Sequence, residues 1–146
     1  MFIQATCVAI DGSGVLIRGR PGSGKSDLAL RLIDGGAALV ADDGVEVAAQ
    51  GGALYARYPR QAPPELRGRM EIRGLGIVEV GAGPAARVVL LVDLAPPEAV
   101  AHLPEPETET ILNIDLFRLK LTPFEASAPA KVRVAVRQAL SIIRPP

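Results

Sequence analysis

Three features of the sequence predict an α/β fold, a mixed β-sheet flanked by helices in a single domain spanning 1–146. A glycine-rich loop at 19–24 separates an apolar extended run from a segment with helical spacing. Residues 87–94 (RVVLLVDL) form the most apolar run of the chain, as a central strand does. Residues 130–143 read as a closing helix, with Ser127 near its N-cap and Pro129 near its first turn. With 146 residues the chain has the size of one domain and can bury a core without disulfide or metal staples.

Taken in order, residues 2–10 (FIQATCVAI) read as a β-branched strand. Asp11-Gly12-Ser13-Gly14 is a turn, and 15–18 is the second arm of a hairpin. Over 26–33, Leu28 with Leu32 and Ala29 with Ile33 are i,i+4 pairs of a helix. Asp34-Gly35-Gly36 ends it, because glycine takes a left-handed cap without strain. Residues 37–41 (AALVA) read as a short buried strand that stops at Asp42-Asp43-Gly44. Residues 45–49 and 53–58 flank Gly51-Gly52 as a second hairpin. The basic, proline-containing stretch 59–69 reads as a surface loop with one helical turn, and 57–69 as a docking surface for a partner protein. Residues 70–76 lead into a strand at 77–80, and 81–86 form a loop. Four prolines make 95–107 a loop with a turn of helix near 98–102. Residues 110–121 read as one or two strands, and Pro145-Pro146 forbids extension of the closing helix.

Composition narrows the function. Sixteen Lys+Arg balance sixteen Asp+Glu, which argues against a sequence-independent grip on nucleic acid. Aromatics are 3% with no Trp, so a base-stacking surface has little to be built from. One cysteine, Cys7, excludes an internal disulfide and speaks against structural zinc, and the single His102 speaks against histidine-based triads. Cys7 reads as a buried strand thiol and His102 as a surface loop residue. No run approaches the ~20 apolar residues of a spanning helix, and no targeting segment is visible, so a cytoplasmic protein without a membrane partner is expected.

Gly19-Arg20-Pro21-Gly22-Ser23-Gly24-Lys25-Ser26 fits G-x-x-x-x-G-K-[ST], the phosphate-cradling P-loop. Successive backbone N–H groups curl round a phosphate, and glycine permits that curl. The helix that follows points its positive end at the same anion. Lys25 supplies a mobile charge for the β- and γ-phosphates, and the Ser26 hydroxyl is a hard oxygen ligand for Mg²⁺. Strand before and helix after are the context the motif demands, and they make the fold P-loop kinase-like.

Such a site also needs an acid at a neighbouring strand end. Asp42-Asp43 and Asp93 compete for that place, and the pattern does not choose between them. Adjacent carboxylates resist joint ionisation, and transfer to an alcohol wants an acceptor for its proton. Glu71-Ile72-Arg73-Gly74-Leu75-Gly76 sets an acid and an arginine two apart, and extended backbone would point both the same way. An acid there could ligate Mg²⁺ while the arginine holds phosphate oxygens.

These residues resemble one family closely, the catalytic domain of bifunctional HPr kinase/phosphorylase. GVLIRGRPGSGKSDLALRLID (14–34) resembles its P-loop block, LVADDGVEV (39–47) its acidic block and MEIRGLGIVEV (70–80) its hallmark segment. The order and spacing match over 14–80, and the likeness weakens beyond about residue 95. The resemblance implies a short, alphaproteobacterial-type form without the family's separate N-terminal domain. It implies transfer of the γ-phosphate of ATP to a serine of the phosphocarrier HPr, phosphorolytic removal in many members, and a homo-oligomer, commonly a hexamer. By position it puts Lys25 on the phosphates and Ser26 and Glu71 on Mg²⁺. It gives the serine proton to the Asp42-Asp43 pair, with Asp43 the better match by spacing, and leaves Asp93 a structural role. Two departures stand out. The family's active-site histidine 21 residues before the P-loop lysine is Gln4 here, and the segment 122–129 (TPFEASAP), basic in the family, has no arginine. Both speak against the phosphorolytic half. The alternatives are a nucleotide-sensing module weakened in catalysis and a small-molecule P-loop kinase, which segment 70–80 argues against.

Overall fold

The computed structural model of the chain describes residues 1–143, and the helix stop expected at Pro145-Pro146 lies outside them. The run 2–10 is two strands, β1 (Phe2–Ile3) and β2 (Thr6–Ile10), broken at Gln4-Ala5. β2 turns at Asp11-Gly12 into β3 (Ser13–Arg18), the expected hairpin. The P-loop helix α1 (Lys25–Asp34) leads to β4 (Ala38–Ala41). The second hairpin is β5 (Val45–Gln50) with β6 (Ala53–Arg57).

Segment 69–79 departs from the sequence reading. It is a small separate hairpin of β7 (Arg69–Ile72) and β8 (Gly76–Glu79), closed by a turn in which Leu75 N–H donates to Ile72 O at 2.9 Å. Arg73 therefore sits in a turn rather than in extended chain, and strand alternation does not relate it to Glu71. The long apolar strand is β9 (Ala86–Leu94), followed by the hairpin β10 (Glu107–Ile111) and β11 (Ile114–Leu121). The closing helix α2 (Ala128–Leu140) has Ser127 as its N-cap residue and ends three residues earlier than its periodicity suggests.

β9 is the centre of a nine-stranded mixed sheet. β3 runs parallel along one edge of it, while β6 and then β11 share the other. The sheet continues from β3 through β2 to β4, and from β6 through β5 to β1. Val15 and Ile17 face the two helices together with Leu28, Leu32, Val132 and Val136. Leu16, between them in β3, faces the opposite way into a second core with Cys7, Val45, Leu54 and Leu116. Both helices lie on the first side, and the curl of the sheet closes the second. Cys7 is fully buried, and burial pushes its thiol up to about 12, the inert strand cysteine the sequence suggested.

Asp93, at the end of β9, carries an ion-pair network. Arg18 holds its two carboxylate oxygens as a fork at 2.8 and 2.9 Å and reaches Glu109 at 2.6 and 2.8 Å. Arg118 approaches Asp93 from β11 and bonds Glu107 as well. Burial alone would raise the Asp93 carboxyl, but the two guanidinium groups outweigh it and hold it below the usual range. Glu109 is lowered chiefly by its hydrogen bond from Arg18. A carboxyl lowered in the fold adds stability above its unfolded pKa and loses it as pH falls through the folded one. Asp93→Asn should therefore cost about 1–3 kcal/mol at neutral pH. In urea melts its further loss of stability below about pH 4 should be shallower than that of the native chain.

Candidate active site

The chain leaves β3 at Arg18, curls through 19–24 and enters α1 at Lys25. The curl is held by Ser23 N–H donating to Arg20 O at 3.0 Å, and Leu28 N–H donates to Gly24 O at 2.9 Å as the helix begins. Gly24 is the helix N-cap at φ 106°, a conformation glycine tolerates and L side chains resist. A Cβ on Gly19 would stand 2.4 Å from Ser23 Oγ, so that backbone must also stay bare. Lys25 is buried, with its ammonium donating to Gly19 O at 2.7 Å and Arg20 O at 3.1 Å. Its charge thus sits inside the loop formed by Gly19, Arg20, Pro21, Gly22, Ser23 and Gly24. Ser23 Oγ is buried there without a hydrogen-bond partner among the described residues, a polar group that a phosphate oxygen would satisfy.

The acidic doublet comes to this loop through a crossing of two chain segments. β2 pairs with β4 (Cys7 opposite Ala41), whereas β1 pairs with β5 (Ile3 opposite Val45). Gln4-Ala5-Thr6 and Asp42-Asp43-Gly44 therefore change neighbours at the same place and run side by side. Gly44 N–H donates to Ala5 O at 2.8 Å, and Asp43 turns at φ 54°, a region aspartate tolerates better than most residues. Ser26 Oγ donates to Asp42 Oδ1 at 3.0 Å, and Thr6 Oγ1 donates to the same oxygen at 3.0 Å. Gln4 Nε2 donates to Asp43 Oδ1 at 2.7 Å. Oδ2 of each aspartate has no hydrogen-bond partner among the described residues. Asp42 is half-buried against the P-loop and Asp43 is exposed.

Other expected positions make no hydrogen bond to this loop or doublet among the described residues. Glu71 is exposed on β7, and Arg73 is exposed in the turn after it. The two make no ion pair among the described residues. Asp93 is taken up by Arg18 and Arg118, and His102 is an exposed loop residue. Arg57 pairs with Glu46 and Arg67 donates to Gly83 O at 3.1 Å, the two lining with Arg60 a cavity of about 400 Å³. Sequence reasoning missed Thr6 and Phe124. Thr6 is a fully buried hydroxyl in an otherwise apolar strand, which is the one signal it offered. Phe124 lies across Gly24, where a Cβ would meet its ring at 2.9 Å. Arg31 pins that segment to α1 by donating to the carbonyls of Pro123 and Glu125.

The oxygens gathered here suit a hard cation. Mg²⁺ takes one or two carboxylates and completes its shell with water and substrate phosphates. Ser26 spends its proton on Asp42, which leaves its lone pairs for a metal. No group of three or more His, Cys, Asp or Glu gathers among the described residues. Gly24→Ala tests the loop conformation directly. Strain at this φ should cost about 1–2 kcal/mol in the urea midpoint, with the ring of Phe124 displaced as well.

Comparison with known proteins finds one family along this chain. Residues 1–90 match the HPr Serine kinase C-terminal domain family. The HPr kinase/phosphorylase of Shouchella clausii is 44% identical over 99 residues, 63% of this chain and 31% of that protein. The HPr kinase/phosphorylase of Geobacillus thermodenitrificans is 38% identical over 130 residues, 82% of this chain and 41% of that protein. The chain thus spans about a third to two-fifths of the length of these relatives. The structure of the Hpr(Ser) kinase/phosphatase from Coxiella burnetii superposes with a TM-score of 0.80 at 28% identity and 97% coverage of both chains. No helix among the described residues is long and apolar enough to cross a membrane. A match over more than half of the chain, together with a shared fold, makes this chain a member of the HPr serine kinase C-terminal domain family.

Proposed function

We propose that the chain transfers the γ-phosphate of ATP to a serine hydroxyl of HPr. The observation that carries this reading is the Ser26–Asp42 contact at 3.0 Å, which joins a triphosphate-binding loop to a pair of carboxylates. The names of the relatives supply the acceptor.

Backbone N–H groups of Gly22, Gly24, Lys25 and Ser26 and the positive end of α1 bind the phosphates, with the Lys25 ammonium on the β- and γ-groups. Mg²⁺, held by Ser26 and by carboxylates of the doublet and Glu71, would offset charge on the β- and γ-phosphate oxygens. Asp42, tied to Ser26, faces the metal side. Asp43, exposed beside it, accepts the proton as the serine oxygen attacks. The new O–P bond forms while the bond to the β-phosphate oxygen breaks, ADP leaves, and the proton stays on the carboxylate. Arg73 would hold phosphate oxygens, with the arginine-lined face at 57–67 docking the acceptor. Gln4 on Asp43 favours the forward direction, because an amide carries no proton to exchange near neutral pH.

Labelled ATP, Mg²⁺ and HPr test this reading. Label should appear on a serine of HPr. Lys25→Ala and Asp43→Asn should each lower transfer by about 10²-fold or more. Asp42→Asn should raise the Mg²⁺ concentration needed for half-maximal rate. Nucleotide binding without transfer would favour a sensor, and native rates in both the Lys25 and Asp43 variants would refute the assigned roles.

A further inference from the structure

Thr6 is one of two buried polar or charged residues among the described ones, the other being Lys25 of the P-loop. It is fully buried, yet its hydroxyl has two partners and both belong to the doublet. Oγ1 donates to Asp42 Oδ1 at 3.0 Å and accepts from Asp43 N–H at 3.3 Å. A threonine hydroxyl has one proton to give, so this arrangement uses it on the carboxylate and offers a lone pair to the amide. Asp43 N–H belongs to a residue in left-handed backbone, and Thr6 is the side chain that caps it.

The consequence is asymmetric. Thr6 and Ser26 converge on the same oxygen of Asp42, so that oxygen is committed and Oδ2 stays free. The same hydroxyl anchors the amide whose residue presents the second acid. One buried group on β2 therefore fixes the side chain of Asp42 and the backbone of Asp43 at once. A valine would fill the same space in the strand but leave Asp43 N–H unpaired and Asp42 held by Ser26 alone.

We propose that Thr6 is a positioning residue for the phosphoryl transfer, acting through both aspartates without touching substrate. This rests on the kinase reading above. Thr6→Val should lower the kcat of transfer to HPr about tenfold or more, since small misplacements of reacting groups are costly. Its equilibrium affinity for nucleotide in the absence of Mg²⁺, measured by dialysis, should remain at the native value, because the loop amides are untouched. Hydrogen exchange at the Asp43 amide should quicken in the valine variant. Thr6→Ser, which restores the hydroxyl, should recover both the rate and the protection. Thr6→Ala gives the same comparison should the valine variant not fold.

Native kcat in Thr6→Val would overturn the positioning role. So would a joint loss of kcat and of nucleotide affinity measured without Mg²⁺, which marks general damage to the fold. Absence of transfer by the native chain would instead overturn the kinase reading, and the role of Thr6 with it.

Discussion

The hydrogen bond from Ser26 to Asp42 at 3.0 Å is the contact on which the rest of the site depends. Ser26 lies on the first turn of α1, and Asp42 lies just past β4. The glycine-rich loop and Lys25 are on the first segment, and the acidic doublet is on the second. Without that bond the chain would have a phosphate loop and a separate acidic turn. With it, a hydroxyl suited to a metal and a carboxylate share one corner of the fold.

The sheet makes this contact possible. β3 delivers the loop by running parallel to β9, while β2 returns antiparallel beside β3 and hands the pairing on to β4. The loop and the end of β4 thus emerge on the same side of the sheet. Because β1 leaves β2's line to pair with β5, a gap opens at Gln4-Ala5, and Asp42-Asp43-Gly44 fills it. At the end of β9 the arginine network around Asp93 does different work. It ties β3, β9, β10 and β11 together next to the point where the P-loop departs, and so steadies the strand that aims the loop.

Much of this was legible in the residues. The P-loop announces itself because a phosphate cradle tolerates few alternatives to glycine, lysine and a hydroxyl at those spacings. The strands around β9 and both helices follow from apolar periodicity. The choice between Asp42-Asp43 and Asp93 was not legible from pattern, since both end strands. Long-range pairing gives them different surroundings, bringing Arg18 and Arg118 to Asp93 and Ser26 to Asp42. The break at Gln4-Ala5 was hidden for the same reason: local β propensity runs straight through it, and the change of partner strand is tertiary. Arg73 was misjudged because two glycines turn the chain one residue earlier than the extended reading assumed. Thr6 left only a faint mark, one hydroxyl in an apolar strand, since its partners lie 36 and 37 residues away.

The most direct measurement is a crystal structure of the chain with Mg²⁺ and a non-hydrolysable ATP analogue. The expected result is a triphosphate wrapped by the backbone N–H groups of Gly22, Gly24, Lys25 and Ser26, the Lys25 ammonium on its β- and γ-groups, and the Asp42-Asp43 carboxylates facing the terminal phosphate. A nucleotide seated away from this loop, or a doublet separated from Ser26 and turned from the phosphate, would contradict it.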